Sequence, residues 1–267
     1  MTAPELSYYN IANGITSFST TRHGGCSRGN YGEFNINEYC GDEAEAIKEN
    51  RKALAAELGI DADHMIIPHQ THGIETRQIA EDFLSLPENI RKMILEGVDA
   101  VMTNIKGVCV GVSTADCIPI LLYDPEHEAV CAVHAGWRGT VARVVMKAVT
   151  EMRLAYQTKP SDLKAVIGPG ISLDAFEVGN EVYEEFANAN FEMDAISKQM
   201  KVAGTDFEYK WHIDLKECNH RQLLQCGINE ENILVSDVCT YNNVEDFFSA
   251  RRLGTASGRI YSGIIIR

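Results

Sequence analysis

Two soft ligand residues stand at the ends of two apolar segments in this chain. Cys117 lies in Ala115-Asp116-Cys117-Ile118-Pro119-Ile120, and His134 in Val133-His134-Ala135-Gly136-Trp137-Arg138-Gly139. Adjacent strands joined by a short turn bring both side chains to one edge of a sheet. Upstream, Pro68-His69-Gln70-Thr71-His72-Gly73 offers a third ligand, either His69 or His72. A thiolate with two imidazoles is the ligand set of an open zinc site, whose fourth position is left for water or substrate. The flanking Gly73, Ala135 and Gly136 are small enough for backbone and ligand to approach closely. Each residue taken alone is more often a buried thiol or an ordinary loop histidine. The three together point to an enzyme. Asp116 reads three ways: a carboxylate orienting a ligand histidine, a general base, or a turn residue capping the next strand.

Anion-binding features are weaker. Thr21-Arg22-His23-Gly24-Gly25 frees backbone amides to turn toward an anion that Arg22 can grip, and it reads equally as a plain surface turn. Ile167-Gly168-Pro169-Gly170-Ile171-Ser172 closes a strand and leads into a helix, so its amides either receive a phosphate or simply turn a corner. It lacks a Walker lysine and the G-x-G-x-x-G spacing. Arg138 either holds a substrate anion or pairs with Asp116 or Asp124. Phe247-Phe248-Ser249-Ala250-Arg251-Arg252 either clamps a base and phosphate or is a core strand ending in exposed arginines.

The elements that must position these residues show as apolar runs: Ile15–Phe18, Met65–Ile67, Ala100–Met102, Val108–Val112, Ile118–Tyr123, Ala129–His134, Lys164–Ile167, Ile233–Val235 and Ile260–Ile266. Several are continuous rather than alternating, as in strands covered on both faces. Asp42-x-x-Glu45 reads as a capping box opening a helix closed by Gly59, and Asp214-x-x-Glu217 as another, ending near Gly227. Val141, Val144, Val145, Ala148, Val149 and Met152 follow helical spacing through three turns after Gly139. Segment 174–190 reads as helix broken at Gly179, and 80–98 as a polar loop with a short helix. No linker or repeat divides residues 1–267, so the expectation is a single α+β domain of mixed sheets covered by helices.

Composition narrows the partners. Lys and Arg number 24 against 38 Asp and Glu, a net charge of −14, which repels nucleic acid and anionic membranes but not a small anion in a basic cleft. No run approaches the roughly 20 apolar residues of a membrane span. The N-terminus lacks a signal-peptide pattern, so a cytoplasmic chain is expected, with monomer as the default. The eight cysteines form no C-x-x-C pair, which argues against a zinc ribbon or a thioredoxin-type motif.

Taken in order, Thr21-Arg22-His23-Gly24-Gly25, Gln70-x-His72-Gly73, Asp99-Ala100, Ala115-Asp116-Cys117, His134-Ala135-Gly136-Trp137-Arg138-Gly139, Gly168-Pro169-Gly170-Ile171 and Phe248-Ser249-Ala250-Arg251-Arg252 resemble the YfiH-like family. That family is long labelled multicopper polyphenol oxidase or laccase-domain and is now described as purine nucleoside phosphorylase. The resemblance runs from about residue 17 to the C-terminus and is most specific between Cys117 and Gly139. It implies one α+β domain holding zinc on His72, Cys117 and His134. It also implies phosphorolysis of adenosine, inosine and methylthioadenosine, and deamination of adenosine. Purine nucleosides and inorganic phosphate are then the expected partners. Segments 80–98 and 192–210 match nothing usable.

The residues themselves argue against a copper cluster. The eight histidines (23, 64, 69, 72, 127, 134, 212 and 220) include no H-x-H pair. The H-x-E and P-C-x-x-C signature of zinc deaminases is also absent. In the expected mechanism Asp116 carries a proton beside the Cys117 and His134 centre. Arg22, His23, Arg138, Arg251 and the Gly168 to Gly170 turn are the candidates for substrate and phosphate. Two alternatives stay open: a cysteine hydrolase with Cys117 as nucleophile and His134 as base, and a non-catalytic zinc-containing ligand-binding protein.

Overall fold

The computed structural model describes residues 3–202, 204–205 and 207–267. Met1 and Thr2, where the N-terminal stretch read above begins, lie outside them, as do positions 203 and 206 of segment 192–210.

The continuous apolar strand Ile118–Asp124 shows how the layers arise. Successive side chains leave opposite faces of a strand, so Ile120 and Leu122 enter one core while Leu121 and Tyr123 enter another. This strand is the third in a six-stranded sheet ordered Ile233–Val235, Lys164–Ile167, Ile118–Asp124, Ala129–Ala135, Ala100–Thr103, Thr76–Gln78. A five-stranded sheet runs Leu6–Tyr9, Ile15–Thr20, Ile260–Ile266, Cys109–Thr114, Met65–Ile66. Both are mixed: most neighbours run antiparallel, with parallel pairs at Met65–Ile66, Thr76–Gln78 and Ile233–Val235.

The two sheets face each other. Leu121, Val130 and Val166 of one meet Val110, Val112 and Ile264 of the other, all essentially inaccessible to water. On the outer face of the six-stranded sheet, helix Val144–Tyr156 buries Val145, Ala148, Val149 and Met152 against Met102, Ile120 and Leu122. Helix Leu215–Gln225 adds Leu215 and Leu223 to the same core. On the outer face of the five-stranded sheet, helix Ala44–Leu58 packs Leu54 and Leu58 with Phe18, Tyr261 and Ile265. Truncating a fully buried leucine such as Leu54 to alanine costs about 2–5 kcal/mol. The layers are helix, sheet, sheet, helix, which is the mixed α+β architecture expected.

Several local expectations need correction. Asp42 does not cap helix Ala44–Leu58, because its carboxylate accepts from Ser27 Oγ and Asn35 Nδ2 instead. Gly59 does close that helix, in the left-handed conformation, and Asp214 does cap the later one by accepting from the Glu217 amide. The run after Gly139 is two helices, Trp137–Val141 and Val144–Tyr156. Arg143 sits between them at φ 66°, its guanidinium 3.7 Å over the Phe191 ring and donating to the Ala189 carbonyl. Within 174–190 only Asn180–Asn188 is helical, since Glu177–Val178 pairs with Tyr209–Ile213. Segment 80–98 carries two short helices, Glu81–Ser85 and Glu88–Ile94. Phe247 and Phe248 are buried in a turn rather than a strand, and Ser249 caps the short helix Ala250–Leu253. No helix among the described residues is long and apolar enough to cross a membrane.

Candidate metal centre

The site forms where the two sheets exchange chain. Strand Cys109–Thr114 belongs to the five-stranded sheet and Ile118–Asp124 to the six-stranded one, so residues 115–117 are the crossover. Strand Ala129–Ala135 runs antiparallel to Ile118–Asp124, pairing Pro119 with His134 and Ile118 with Ala135. That register sets Cys117 beside the end of the strand carrying His134.

His72 arrives on a loop docked at two points. Gln70 fastens it to the five-stranded sheet, donating from Nε2 to the Ser113 carbonyl and accepting from the Ser113 amide at Oε1. Asp99, fully buried at the start of strand Ala100–Thr103, fastens it to the other sheet. Its Oδ1 accepts from the His72 amide (3.0 Å) and from His134 Nδ1 (2.7 Å). Its Oδ2 accepts from the amides of Gly73 (2.7 Å) and Thr71 (3.3 Å). One carboxylate therefore orients both histidines. His72 itself is held at φ 63°, a conformation uncommon for a side-chain-bearing residue and often found where surrounding contacts fix a site.

The outcome is a cluster in which one ligand atom each from His72, Cys117 and His134 lies within 4.8 Å of the others. His134 is buried, Cys117 half-buried and His72 exposed, so the cluster opens on the His72 side. With Nδ1 of His134 engaged by Asp99, Nε2 is the nitrogen left to bind. Burial opposes a thiolate at Cys117, yet the neighbouring His134 and His72 outweigh it and draw its pKa down to about 6. Burial likewise opposes the imidazolium of His134, but the Cys117 thiolate and Asp99 raise it to about 9. Asp99 is held below the ordinary carboxylate range: burial works against its ionisation, and the bond to His134 with the amide bonds of the His72 loop overcomes it. Gly136 completes the space. A Cβ there would stand 2.8 Å from His72 Cδ2 and 3.1 Å from Cys117 Sγ.

The remaining expected site residues lie elsewhere. His69 bonds Glu96 through Nδ1 and stacks on Tyr39 at 4.0 Å, so it lines the cavity without joining the cluster. Asp116 orients no histidine: its carboxylate accepts from Thr240 Oγ1 and the Arg251 amide. That ties the crossover to the C-terminal turn, with Asp116 at φ 87°. Arg22 donates to the carbonyls of Gly32 and Val244 and covers Phe248, and His23 pairs with Asp246. Arg138 is exposed over Trp137, and Arg251 donates to the Glu177 carbonyl over Phe176. In the Gly168 to Gly170 turn, the Gly168, Gly170 and Ile171 amides already donate to Pro119, Val238 and Asp116 carbonyls. Gly170 is glycine because a Cβ would strike Ile118 Cδ1. None of Arg22, His23, Arg138, Gly168, Gly170 and Arg251 lines the cavity of about 270 Å³ that contains the three ligands.

The residues that do line it beside the ligands include Asn37, Tyr39, Gln70, Ser113, Thr114 and Arg259. Sequence reasoning passed over Asn37, Tyr39 and Arg259, and gave Asp99 no role. For Asp99 the available signal was an acid directly before an apolar strand. Arg259, directly before the last strand, carries no comparable mark.

The chain is matched over residues 16–267 by the family model described as multi-copper polyphenol oxidoreductase laccase. It is 45% identical over 252 residues to a protein of Bacteroides thetaiotaomicron named purine nucleoside phosphorylase, covering 94% of this chain and 92% of that protein. It is 40% identical to a protein from an unknown prokaryotic organism named adenosine deaminase RL5, with 97% of each covered. The crystal structure of the Bacillus licheniformis hypothetical protein YfiH superposes with a TM-score of 0.88 at 27% identity, covering 99% of this chain and 97% of that one. By the extent of these matches the chain belongs to the YfiH-containing family that carries the laccase-like family description.

Proposed function

We propose that this chain is a zinc-dependent purine nucleoside enzyme. In this reading it cleaves adenosine, inosine and methylthioadenosine with inorganic phosphate, and deaminates adenosine. The convergence of His72, Cys117 and His134 at one open cavity carries the reading. The names of the two relatives supply the substrate class.

The donor set fits zinc. One soft sulfur favoured as thiolate and two imidazoles, one with its second nitrogen anchored to a carboxylate, match an open zinc site. A blue-copper centre uses the same donors with a weak axial methionine or glutamine; among the described residues no methionine lines this cavity, and Gln70, which does, has both ends of its amide bonded to Ser113. When bound, zinc supplies a Lewis acid at the open side of the set, polarising a substrate oxygen or acidifying a water.

The chain's own groups supply the rest. Asp99 keeps a proton on Nδ1 of His134 and holds the His72 loop in place. Tyr39 and His69, stacked on the cavity wall, offer a flat surface to a purine ring. The buried Ser113 and Thr114 hydroxyls have no partner among the described residues, which suits a hydroxylated ligand. Asp116, already bonded, is left out as a proton carrier. Chromatography of adenosine and inosine incubated with and without phosphate tests the reading. Phosphate-dependent release of adenine and hypoxanthine, with inosine formed from adenosine, is the expected result. Absence of both activities in metal-replete protein would overturn it.

A second reading rests on the line Asp99, His134, Cys117, which has the polarity of a nucleophilic triad. His72 argues against it, since a cysteine hydrolase has no use for a third soft donor. Alkylation would inactivate such an enzyme and chelation would not.

A further inference from the structure

The expected phosphate-binding arginines all lie away from the ligand cavity, which leaves the question of what holds an anion there. The chain is strongly acidic, at −14, yet among the described residues no aspartate or glutamate lines this cavity. Its one arginine or lysine is Arg259, and that guanidinium makes no ion pair among the described residues. Its position is nonetheless fixed. Nη1 donates to the carbonyls of Ser257 (2.6 Å) and Gly258 (2.9 Å), Nη2 donates to the Thr255 carbonyl (2.9 Å), and the backbone amide donates to Asn35 Oδ1. Among the described residues Nε and one hydrogen of Nη2 have no acceptor, and a guanidinium offers such donors in a planar fork that matches an oxyanion. Its charge acts on Cys40, another lining residue, whose thiol burial raises and Arg259 lowers.

Asn37 supplies a second unused donor. Only 8% exposed, it accepts from the Tyr39 amide at Oδ1, and this bond fixes the amide's orientation. Nδ2, the other end, has no partner among the described residues, and Asn37 lines the same cavity. Nδ2 stays within reach of solvent, so water satisfies it in the free protein and a ligand oxygen can take that water's place.

We propose that Arg259 and Asn37 form the oxyanion subsite of this cavity and hold inorganic phosphate against the nucleoside. This inference rests on the phosphorylase reading for its co-substrate. Its geometry, a carboxylate-free wall with a fixed, unpaired guanidinium and an unpartnered amide, stands without that reading. Arg259 is then a substrate-binding residue, acting on phosphate rather than on the base.

Calorimetric titration of the metal-loaded protein with inorganic phosphate reads the inference directly, while product chromatography reads the phosphorylase activity separately. Binding in the wild type should weaken about tenfold or more in Arg259→Gln and measurably in Asn37→Ala, as loss of a charge-assisted and a neutral bond respectively implies. Because Arg259 also ties down residues 255–258, a second variant leaves it in place. Thr255→Glu adds a carboxylate at an exposed lining position whose carbonyl already accepts from Arg259, and it should compete with phosphate to a similar extent. Phosphate affinity unchanged in both Arg259→Gln and Thr255→Glu, or no phosphate binding by the wild type, would overturn the proposal. Adenosine 5′-monophosphate is titrated in parallel. If it binds through Arg259 while free phosphate does not, the assignment to inorganic phosphate is overturned in favour of an ester phosphate. Phosphate binding that depends on Arg259 in a protein that cleaves no nucleoside would sustain the subsite and sink the phosphorylase reading.

Discussion

Asp99→Asn isolates the residue on which the geometry of the site depends most. The wild-type carboxylate accepts four hydrogen bonds while fully buried, two at each oxygen. Asparagine keeps the shape but turns one oxygen into a donor, and either orientation of the amide sets that donor against two N–H groups. In one, the NH2 meets the Thr71 and Gly73 amides and the His72 loop loses its anchor. In the other it meets the His72 amide and His134 Nδ1. The imidazole then moves its proton to Nε2, the nitrogen needed for the metal. Two bonds to a charged group at roughly 1.5–3 kcal/mol each make about 3–6 kcal/mol, a large share of the roughly 5–15 kcal/mol that holds a domain folded. Much of that is released by local opening of the exposed loop rather than by global unfolding. The expected loss of zinc affinity is about 10- to 100-fold, the usual effect of removing a partner that orients a metal-binding histidine. Competition with a chromophoric chelator measures it, and amide exchange at Thr71, His72 and Gly73 should accelerate. Wild-type affinity together with wild-type exchange would refute the role given to Asp99.

Other outcomes follow from the same geometry. In metal-free protein the Cys117 alkylation rate should titrate near pH 6 rather than near the ordinary thiol value of 9.0, and zinc should suppress it; a rate still rising toward pH 9 contradicts the thiolate. The lowered thiol pKa contributes stability that is lost as pH falls through about 6, and the raised His134 pKa contributes stability that is lost as pH rises through about 9. Metal-free protein should therefore gain from this pair chiefly between those limits, which melting temperature against pH for wild type and Cys117→Ala measures. Gly136→Ala should leave the melting temperature within a few degrees but lower metal content severely, because the new Cβ meets His72 and Cys117; full metal occupancy would show that the ligands can yield. Asp116→Ala should cost about 1–3 kcal/mol by leaving Thr240 and the Arg251 amide without their acceptor. It should leave metal content unchanged, and loss of metal would return Asp116 to the site.

Most strands of both large sheets were legible because they are largely apolar, as burial between a second sheet and a helix demands, whereas the edge strands Leu6–Tyr9 and polar Thr76–Gln78 were not read. The ligand cluster was legible because cysteine and histidine at strand ends and in glycine-flanked loops are uncommon company. What escaped was decided by long-range partners. Asp42 has the spacing of a helix cap, yet Ser27 and Asn35 claim it. Arg143 lies in an unbroken helical pattern, yet Phe191 and Ala189 draw it into the left-handed conformation. The hairpin Ser197–Lys201 with Tyr209–Ile213 is largely polar and gave no clear period. Arginine also misled, because every candidate chosen for anion binding had a neighbouring motif. The one that reaches the cavity, Arg259, is placed there by carbonyls of residues 255–258 and by the loop of Asn35, which no local pattern announces.

On the proposed reading His72, Cys117 and His134 together hold one zinc ion. Elemental analysis of freshly purified wild type beside His72→Ala, Cys117→Ala and His134→Ala tests it most directly, with circular dichroism confirming that each variant is folded. About one zinc per wild-type chain and little or none in each folded variant is the expected result. Zinc retained at the wild-type level in any one of the three, or copper in its place in the wild type, would contradict it.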